Sequence, residues 1–520
     1  MFPWGKHLYS NYKHSIIFKE HLQGKFMKYV SSRNSKVNIT CSQAMIKGLA
    51  EDGGLFTPLL ENEKIDLSGL KDISYKQLAE RVISFFLRDF SKEEIVSCIE
   101  KAYDEKFDDK EITPLIDAGK FSILELWHGP TSAFKDLALT LLPHQLTKAY
   151  EKNGCKQTLA ILTATSGDTG KAALASFADV KNTAITVFYP EVGVSDIQKK
   201  QMQTSKGNNV EVIAVKGNFD DCQRLVKKAT TDPDILNGIN NVTLSSANSI
   251  NVGRLIPQVV YYYYAYLKLL KEGKINEGEE INFSVPTGNF GNILAGYLAK
   301  NSGLPIKKLI CASNSNNILT DFINTGKYDL HRDFINTMSP SMDILISSNL
   351  ERLLYLLSED DQYIRDLMKK LETDGFYEVD KQIKEKINSD FAAYWSSEKD
   401  CEKMISYLFN EKHILIDPHT AVAADAYRKY KNETKDQTKT VVLSTASPYK
   451  FAGDVLKCLE IDERDPYKAM EKLGEISGMK IPQNLAELKD LPVRFTRAIE
   501  IEEGFETIRN RLKEISDAAY

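Results

Sequence analysis

From about residue 112 onward the chain repeats one pattern: a short apolar run, a turn of small and polar residues, then ten or more residues at helical spacing. The runs fall at residues 123–126, 158–162, 184–189, 210–215, 242–244, 281–285, 309–312 and 440–443. Strands that alternate with helices are joined by crossovers and so build parallel sheets. The runs are apolar almost throughout, as strands covered by helices on both faces are. A chain of 520 residues is too long for one core, so two or three packed subdomains follow. The α/β body is expected to span residues 112–520.

The flanking texture differs. Residues 27–111 read as a mostly helical N-terminal domain. Residues 75–90 place apolar positions at helical spacing, and Ser91 before Glu93 and Glu94 opens a second helix to about residue 106. Residues 316–410 are again poor in strand-like runs and read as a helical insertion in the body. Tyr261, Tyr262, Tyr263 and Tyr264 fall in an expected helix over 251–270. Four consecutive aromatics cannot share one side of a helix, so this helix should lie buried between two layers.

Residues 1–26 carry Lys6, Lys13, Lys19 and Lys25 against Glu20 alone. A basic, acid-poor start suits an organelle transit peptide, but the arginine usual in one is absent. They are read as a disordered extension before Met27, with targeting left open and a cytoplasmic location otherwise expected. The net charge of -5 argues against a large nucleic-acid footprint. The most apolar stretch, 259–270, is interrupted by tyrosine and lysine, so no membrane span is expected. Seven scattered cysteines without a CxxC read as reduced thiols. His413 and His419 lack the spacing of a helical metal pair, and no metal is expected.

Five segments carry chemistry. His128-Gly129-Pro130-Thr131-Ser132-Ala133-Phe134-Lys135-Asp136 follows a strand, with a helix expected to begin near Ser132. Lys135 in that helix's first turn would oppose the macrodipole, which lowers its pKa as an amine nucleophile or base requires. Thr163-Ala164-Thr165-Ser166-Gly167-Asp168-Thr169-Gly170 and Pro286-Thr287-Gly288-Asn289-Phe290-Gly291-Asn292 each lie between a strand and a helix. Small residues there let backbone N–H groups face an anion. Each alone also suits a capped helix start, and neither is a P-loop, since no Gly-Lys-Ser/Thr follows. Asn248-Ser249-Ile250-Asn251-Val252-Gly253-Arg254 offers helix-entry residues and an arginine suited to a carboxylate or phosphate. Ser444-Thr445-Ala446-Ser447-Pro448-Tyr449-Lys450-Phe451 puts hydroxyls at a strand's carboxyl end, the edge where open α/β sheets bind ligands. Together the five describe an amine, two anion cradles and polar partners: a site for a phosphorylated aldehyde cofactor and a second anionic molecule.

At these segments the chain resembles the threonine synthase family, fold-type II enzymes dependent on pyridoxal 5'-phosphate (PLP) and related in fold to tryptophan synthase β. The resemblance runs from Met27 to the C-terminus and includes Tyr29-Val30-Ser31-Ser32-Arg33, residues 48–55 and Asp417-Pro418-His419-Thr420-Ala421. It implies two parallel-sheet α/β subdomains with an N-terminal helical domain. It implies Lys135 as the Schiff-base lysine, with Phe134, Asp168, Gly288, Asn289, Phe290, Gly291, Asn292 and Thr445 at the cofactor. Gly288 to Asn292 would hold its phosphate and Thr445 its pyridine nitrogen. Asp168 would sit near the phenolic oxygen, where two anions imply a shared proton. Thr165, Ser166, Thr169, Asn248, Ser249 and Arg254 would bind the substrate, O-phospho-L-homoserine, which becomes L-threonine and phosphate. The protein would act as a monomer or homodimer. One departure stands out: Ser447 occupies a position where the family usually has histidine. It keeps open a phospho-lyase that releases 2-oxobutyrate and ammonia from the same substrate. A non-catalytic protein on a degenerate PLP scaffold is the reading from another class, opposed by retention of Lys135, both cradles and Thr445.

Overall fold

The computed structural model describes residues 27–518, apart from residues 61, 166, 192, 193 and 233. The N-terminal extension and Ser166 therefore lie outside the described residues. Each of the eight apolar runs lies in a strand, within three residues of its expected ends. They belong to two sheets. The larger has the spatial order Phe391–Trp395, Ile306–Ser313, Ile281–Pro286, Thr440–Ser444, Ser122–Glu125 and Leu115–Asp117. Its neighbours are parallel except for the last pair. The smaller has the order Ala498–Ile499, Val210–Val215, Thr183–Pro190, Thr158–Ala164 and Val242–Ser245, parallel throughout. Thr183–Pro190 and Ile281–Pro286 are buried at every residue, which explains why they are mostly apolar and why Asn282, Ser284, Thr183 and Thr186 are their only polar side chains other than tyrosine.

Three elements differ from the sequence-based expectation. The N-terminal domain is not simply helical. Asn34–Ile39, Tyr29–Ser31 and Phe56–Pro58 form a small antiparallel sheet beside the helices Tyr75–Phe86 and Lys92–Ala102. Two of these strands have three residues, and the third reads Asn-Ser-Lys-Val-Asn-Ile, so none presents an apolar run. The helical insertion also contributes to the body, since Phe391–Trp395 is the edge strand of the larger sheet. The helix expected over 251–270 is three pieces: Val252–Leu255, a 3-10 turn Ile256–Gln258, and Val259–Lys271. Pro257, which lacks a backbone N–H, sits at the break. All four tyrosines are buried. Tyr264 meets Tyr75 of the N-terminal domain, and Tyr262 meets Phe283 of the larger sheet, ring centroids 5.2 and 4.8 Å apart. The helix is indeed held between two layers.

Every chemistry-bearing segment leaves the carboxyl end of a parallel strand. The larger sheet presents residues 126–135, 287–290 and 445–447. The smaller presents, among the described residues, Thr165, Gly167 and residues 246–251. The two sets of loops meet at one cleft.

Candidate active site

The loop before Lys135 is tighter than a helix start. Ser132 takes a left-handed conformation, φ 56°, and regular helix begins only at Asp136, with Lys135 as its cap. The loop wraps around Asp136, whose carboxylate accepts Thr131 N–H at 2.8 Å and Thr131 Oγ1–H at 2.7 Å. A Cβ on Gly129 would stand 2.5 Å from Asp136 Cβ, so only glycine fits there. Phe134 N–H donates to the Thr445 carbonyl at 2.8 Å, which ties this loop to the neighbouring strand end. Lys135 Nζ lies 5.9 Å from the Phe134 ring centroid, 3.3 Å from Ser341 Oγ and 3.7 Å from Asp168 Oδ2. Its pKa falls to about 8. Burial is the main cause; Asp168 opposes it, while Lys450 and Arg254 add to it. The expected lowering is present, but the expected cause is not: Asp136–Leu139 has only four residues and carries little dipole.

Asp168 opens the helix Asp168–Phe177 from the opposing sheet. Its Oδ1 accepts Lys450 Nζ at 2.6 Å and Gln198 Nε2 at 3.0 Å. Gly167, φ 146°, leaves no room for a side chain: a Cβ there would meet Gln198 at 2.5 Å. Burial alone would raise the Asp168 pKa, but the charges of Lys450 and Lys135 outweigh it and hold the carboxyl well below the usual range. Thr165 Oγ1 accepts the N–H groups of Gly167 and Gly170 at 3.0 and 2.9 Å, so this hydroxyl shapes the loop that was expected to bind substrate. Thr169 lies half-buried in the helix's first turn.

The second cradle is braced from outside. Phe290 is left-handed at φ 62° and precedes the helix Gly291–Asn301. Asn349 donates N–H and Nδ2–H to the Asn289 carbonyl at 3.1 and 3.0 Å, and Ser347 Oγ–H donates to the Gly288 carbonyl at 2.6 Å. Asn292 Oδ1 accepts the hydroxyls of Tyr261 and Tyr262 at 2.6 and 2.9 Å. Its Nδ2 is buried without a hydrogen-bond partner. Asn248 and Ser249 are half-buried beside this loop, and Ser249 Cβ lies 3.9 Å from where a Gly291 Cβ would stand. Arg254 is 4% exposed. Its Nη1 donates to the Ala247 carbonyl at 3.0 Å, while Nε has no partner. Burial lowers its pKa to about 10, still charged near neutrality.

Four groups at the cleft escaped the sequence reading as site residues: Ser341, Lys450, Gln198 and His419. Ser341 lies on the 3-10 turn Pro340–Met342 of the insertion. Its Oγ reaches Asp168 Oδ2 at 3.4 Å as well as Lys135, and its N–H donates to His419 Nε2 at 3.2 Å. His419 Nδ1 in turn meets Asp417 at 2.6 Å. Lys450 and His419 stood inside segments already singled out, so proximity to Ser447 and Asp417 was the only available signal.

The residues fit PLP. A buried Asn292 amide and a buried Arg254 guanidinium each hold an unused donor, the unmet need an anionic ligand satisfies. Lys135 is an amine of lowered pKa between the two cradles. The fold and site define a fold-type II PLP-dependent enzyme. Residues 108–446 match the family model for pyridoxal-phosphate dependent enzymes, and residues 28–103 and 420–510 match those for the threonine synthase N terminus and C-terminal part. A crystal structure of PLP-bound threonine synthase from Brucella melitensis is similar at TM-score 0.84 and 34% identity, over 95% of this chain and 100% of that one. Threonine synthase from Saccharomyces cerevisiae is 37% identical over 463 residues, 83% of this chain and 89% of that protein. Threonine synthase-like 1 from Homo sapiens is 42% identical over 439 residues, 81% of this chain, which spans only 58% of that relative. The chain belongs to the threonine synthase family.

Proposed function

We propose that this protein is a threonine synthase, converting O-phospho-L-homoserine and water to L-threonine and phosphate. The observation that carries the reading is the charge left over at the cleft. Lys135 and Lys450 share Asp168 as the one carboxylate in hydrogen-bond or ion-pair contact with them among the described residues, and buried Arg254 donates to the Ala247 carbonyl. Arg254 keeps an unused buried donor. Such a cleft suits a substrate with both a phosphate and a carboxylate. The Saccharomyces cerevisiae and Brucella melitensis relatives, matched over nearly their whole lengths, support the same reading.

Asn292 and the Gly288–Phe290 turn would hold the cofactor phosphate, and Thr445 would meet the pyridine nitrogen. When bound, PLP supplies an electron sink for charge developing on the substrate's carbons. Arg254, with Asn248 and Ser249, would bind the substrate phosphate. Thr169 and Ser166 would meet its carboxylate at the helix N-terminus. Lys135, whose pKa burial lowers to about 8 so that a large fraction is free amine near that pH, would take the proton from Cα, give it up to the electron-rich cofactor–substrate system, and then take one from Cβ. Ser341 Oγ, 3.3 Å away, orients that amine. Thr445 would offer the ring nitrogen a hydroxyl in place of a carboxylate, a partner that does not demand full protonation. Phosphate would leave from Cγ toward Arg254; the proton taken from Cβ would return to Cγ, water would add its hydroxyl at Cβ and give its proton to the released phosphate, and the proton first removed would return to Cα.

The phospho-lyase reading has one observation in its favour. Ser447 is fully buried, and its Oγ caps the following turn by accepting Tyr449 N–H at 3.4 Å. It brings no imidazole to the place where the family usually has one. Product analysis separates the two. PLP-loaded protein is given O-phospho-L-homoserine, and phosphate, threonine and 2-oxobutyrate are followed together. Threonine equal to phosphate is the expected result; 2-oxobutyrate equal to phosphate establishes the lyase, and no phosphate release overturns both.

A further inference from the structure

The cleft contains a second lysine that the reaction above does not use. Lys450 has a side chain with no exposure at all. Its Nζ donates to Asp168 Oδ1 at 2.6 Å and to the Thr131 carbonyl at 3.1 Å. The first contact reaches the smaller sheet's loop and the second reaches the loop that ends in Lys135. The other oxygen of the same carboxylate, Asp168 Oδ2, lies 3.7 Å from Lys135 Nζ and 3.4 Å from Ser341 Oγ. One buried carboxylate is therefore shared, oxygen by oxygen, between two lysines. An isolated buried carboxylate would bind a proton or hold the nearest amine as ammonium. An ammonium has no lone pair and cannot attack an aldehyde.

We propose that Lys450 is a positioning residue for cofactor capture: by occupying Asp168 it prevents that carboxylate from holding Lys135 protonated, and so leaves Lys135 free to react with the aldehyde of PLP. Capture joins the Lys135 nitrogen to the aldehyde carbon and releases one water, with no change of oxidation state. Only the unprotonated amine can begin it. The charged groups that face Lys135 are Asp168, Lys450 and Arg254, with Ser341 Oγ between Lys135 and Asp168; Asp136 and Lys171 act in turn on Lys450. Of these, Asp168 alone favours the protonated form of Lys135, and Lys450 makes the closest contact with it. The lowered pKa of Lys135, about 8, agrees in direction with this arrangement. The inference rests on the cofactor and is independent of which product the enzyme releases.

The test is the rate at which full-length apoenzyme captures added PLP, followed by absorbance as a function of pH. The wild-type rate should rise with a midpoint near the Lys135 pKa of about 8. Lys450→Gln keeps a donor for Asp168 but loses the charge, and its midpoint should move up by about one pH unit, which slows capture about tenfold below the midpoint. Lys450→Arg keeps the charge and should keep the midpoint. Lys450→Met combined with Asp168→Asn removes together the charge that favours protonated Lys135 and the charge that opposes it, and should bring the midpoint back near wild type. A folded Lys450→Gln with an unchanged midpoint overturns the proposal. So does a double variant shifted up by a full unit, which also decides the matter where Lys450→Gln fails to fold.

Discussion

His128 shows how a single residue couples the catalytic loop to pH. Its Nδ1 meets Asp108 at 2.6 Å and its Nε2 meets Glu125 at 2.9 Å. Burial opposes the imidazolium, but the two carboxylates outweigh it and push the pKa up to about 9. The folded-state value lies above the unfolded value of about 6.5. The pair's contribution to stability is therefore complete below pH 6.5 and lost as the pH rises through 9. It is on the order of 1–2 kcal/mol, reduced by the solvent that reaches Asp108. Urea midpoints of wild type and His128→Phe should differ most at pH 6 and converge by pH 9.5; a difference independent of pH would rule the ion pair out. At this scale the sequence showed Lys135, because the motif around it is local. It did not show Lys450, Ser341 or Gln198 as its neighbours. Ser341 is 206 residues from Lys135, and only the fold brings them within 3.3 Å.

At the scale of elements, the periodic helices and the eight apolar strands were legible, because burial on both faces leaves few polar positions in a strand. Asn34–Ile39 was not, because it is half polar, and Phe391–Trp395, though apolar, stood inside a stretch dominated by helical spacing. The tyrosine helix was correctly expected to be buried, yet its function in the site was invisible. The hydroxyls of Tyr261 and Tyr262 hold Asn292 Oδ1 and so fix the side chain whose Nδ2 is buried without a hydrogen-bond partner. Loss of one such hydrogen bond is worth about 1 kcal/mol. Tyr261→Phe or Tyr262→Phe should weaken PLP binding about fivefold, and the double variant about tenfold or more, as measured by equilibrium titration of apoenzyme. Equal affinities for wild type and double variant would mean that Asn292 does not touch the phosphate. Gly288 tests the same cradle from its other side. A Cβ there would stand 2.7 Å from the Ser341 carbonyl, in the turn that also reaches Lys135. Gly288→Ala should shift that turn at a cost of about 1–3 kcal/mol and lower PLP affinity by about tenfold or more. Unchanged affinity would show that the turn yields without disturbing the cradle.

At the scale of the molecule, one buried arginine ties three regions to the cofactor loop. Arg352 is fully buried. Its Nε donates to the Phe56 carbonyl of the N-terminal sheet at 2.9 Å, Nη1 donates to Asn349 Oδ1, and Nη2 donates to the Ile250 carbonyl of the loop leading to Arg254. Asn349 in turn braces Asn289. Beside it, Glu351 accepts from Arg33 at 2.8 Å and from Ser32 at 2.6 Å, residues of the same small N-terminal sheet. The N-terminal domain is thereby joined through adjacent residues of one helix to both the cofactor loop and the substrate loop. Nothing in a sequence marks an arginine as central when its partners lie 296 and 102 positions away. Arg352→Met preserves much of the apolar volume but leaves three buried acceptors without their donor, each worth about 1–3 kcal/mol. The unfolding temperature of apoenzyme should drop by several degrees. Saturating PLP stabilises wild type through its binding energy, and it should restore less of the loss in the variant, because Asn349 no longer fixes Asn289. A variant with the same rise on PLP addition as wild type would confine Arg352 to the stability of the N-terminal domain. A smaller rise makes the arginine the link through which that domain sets the shape of the site.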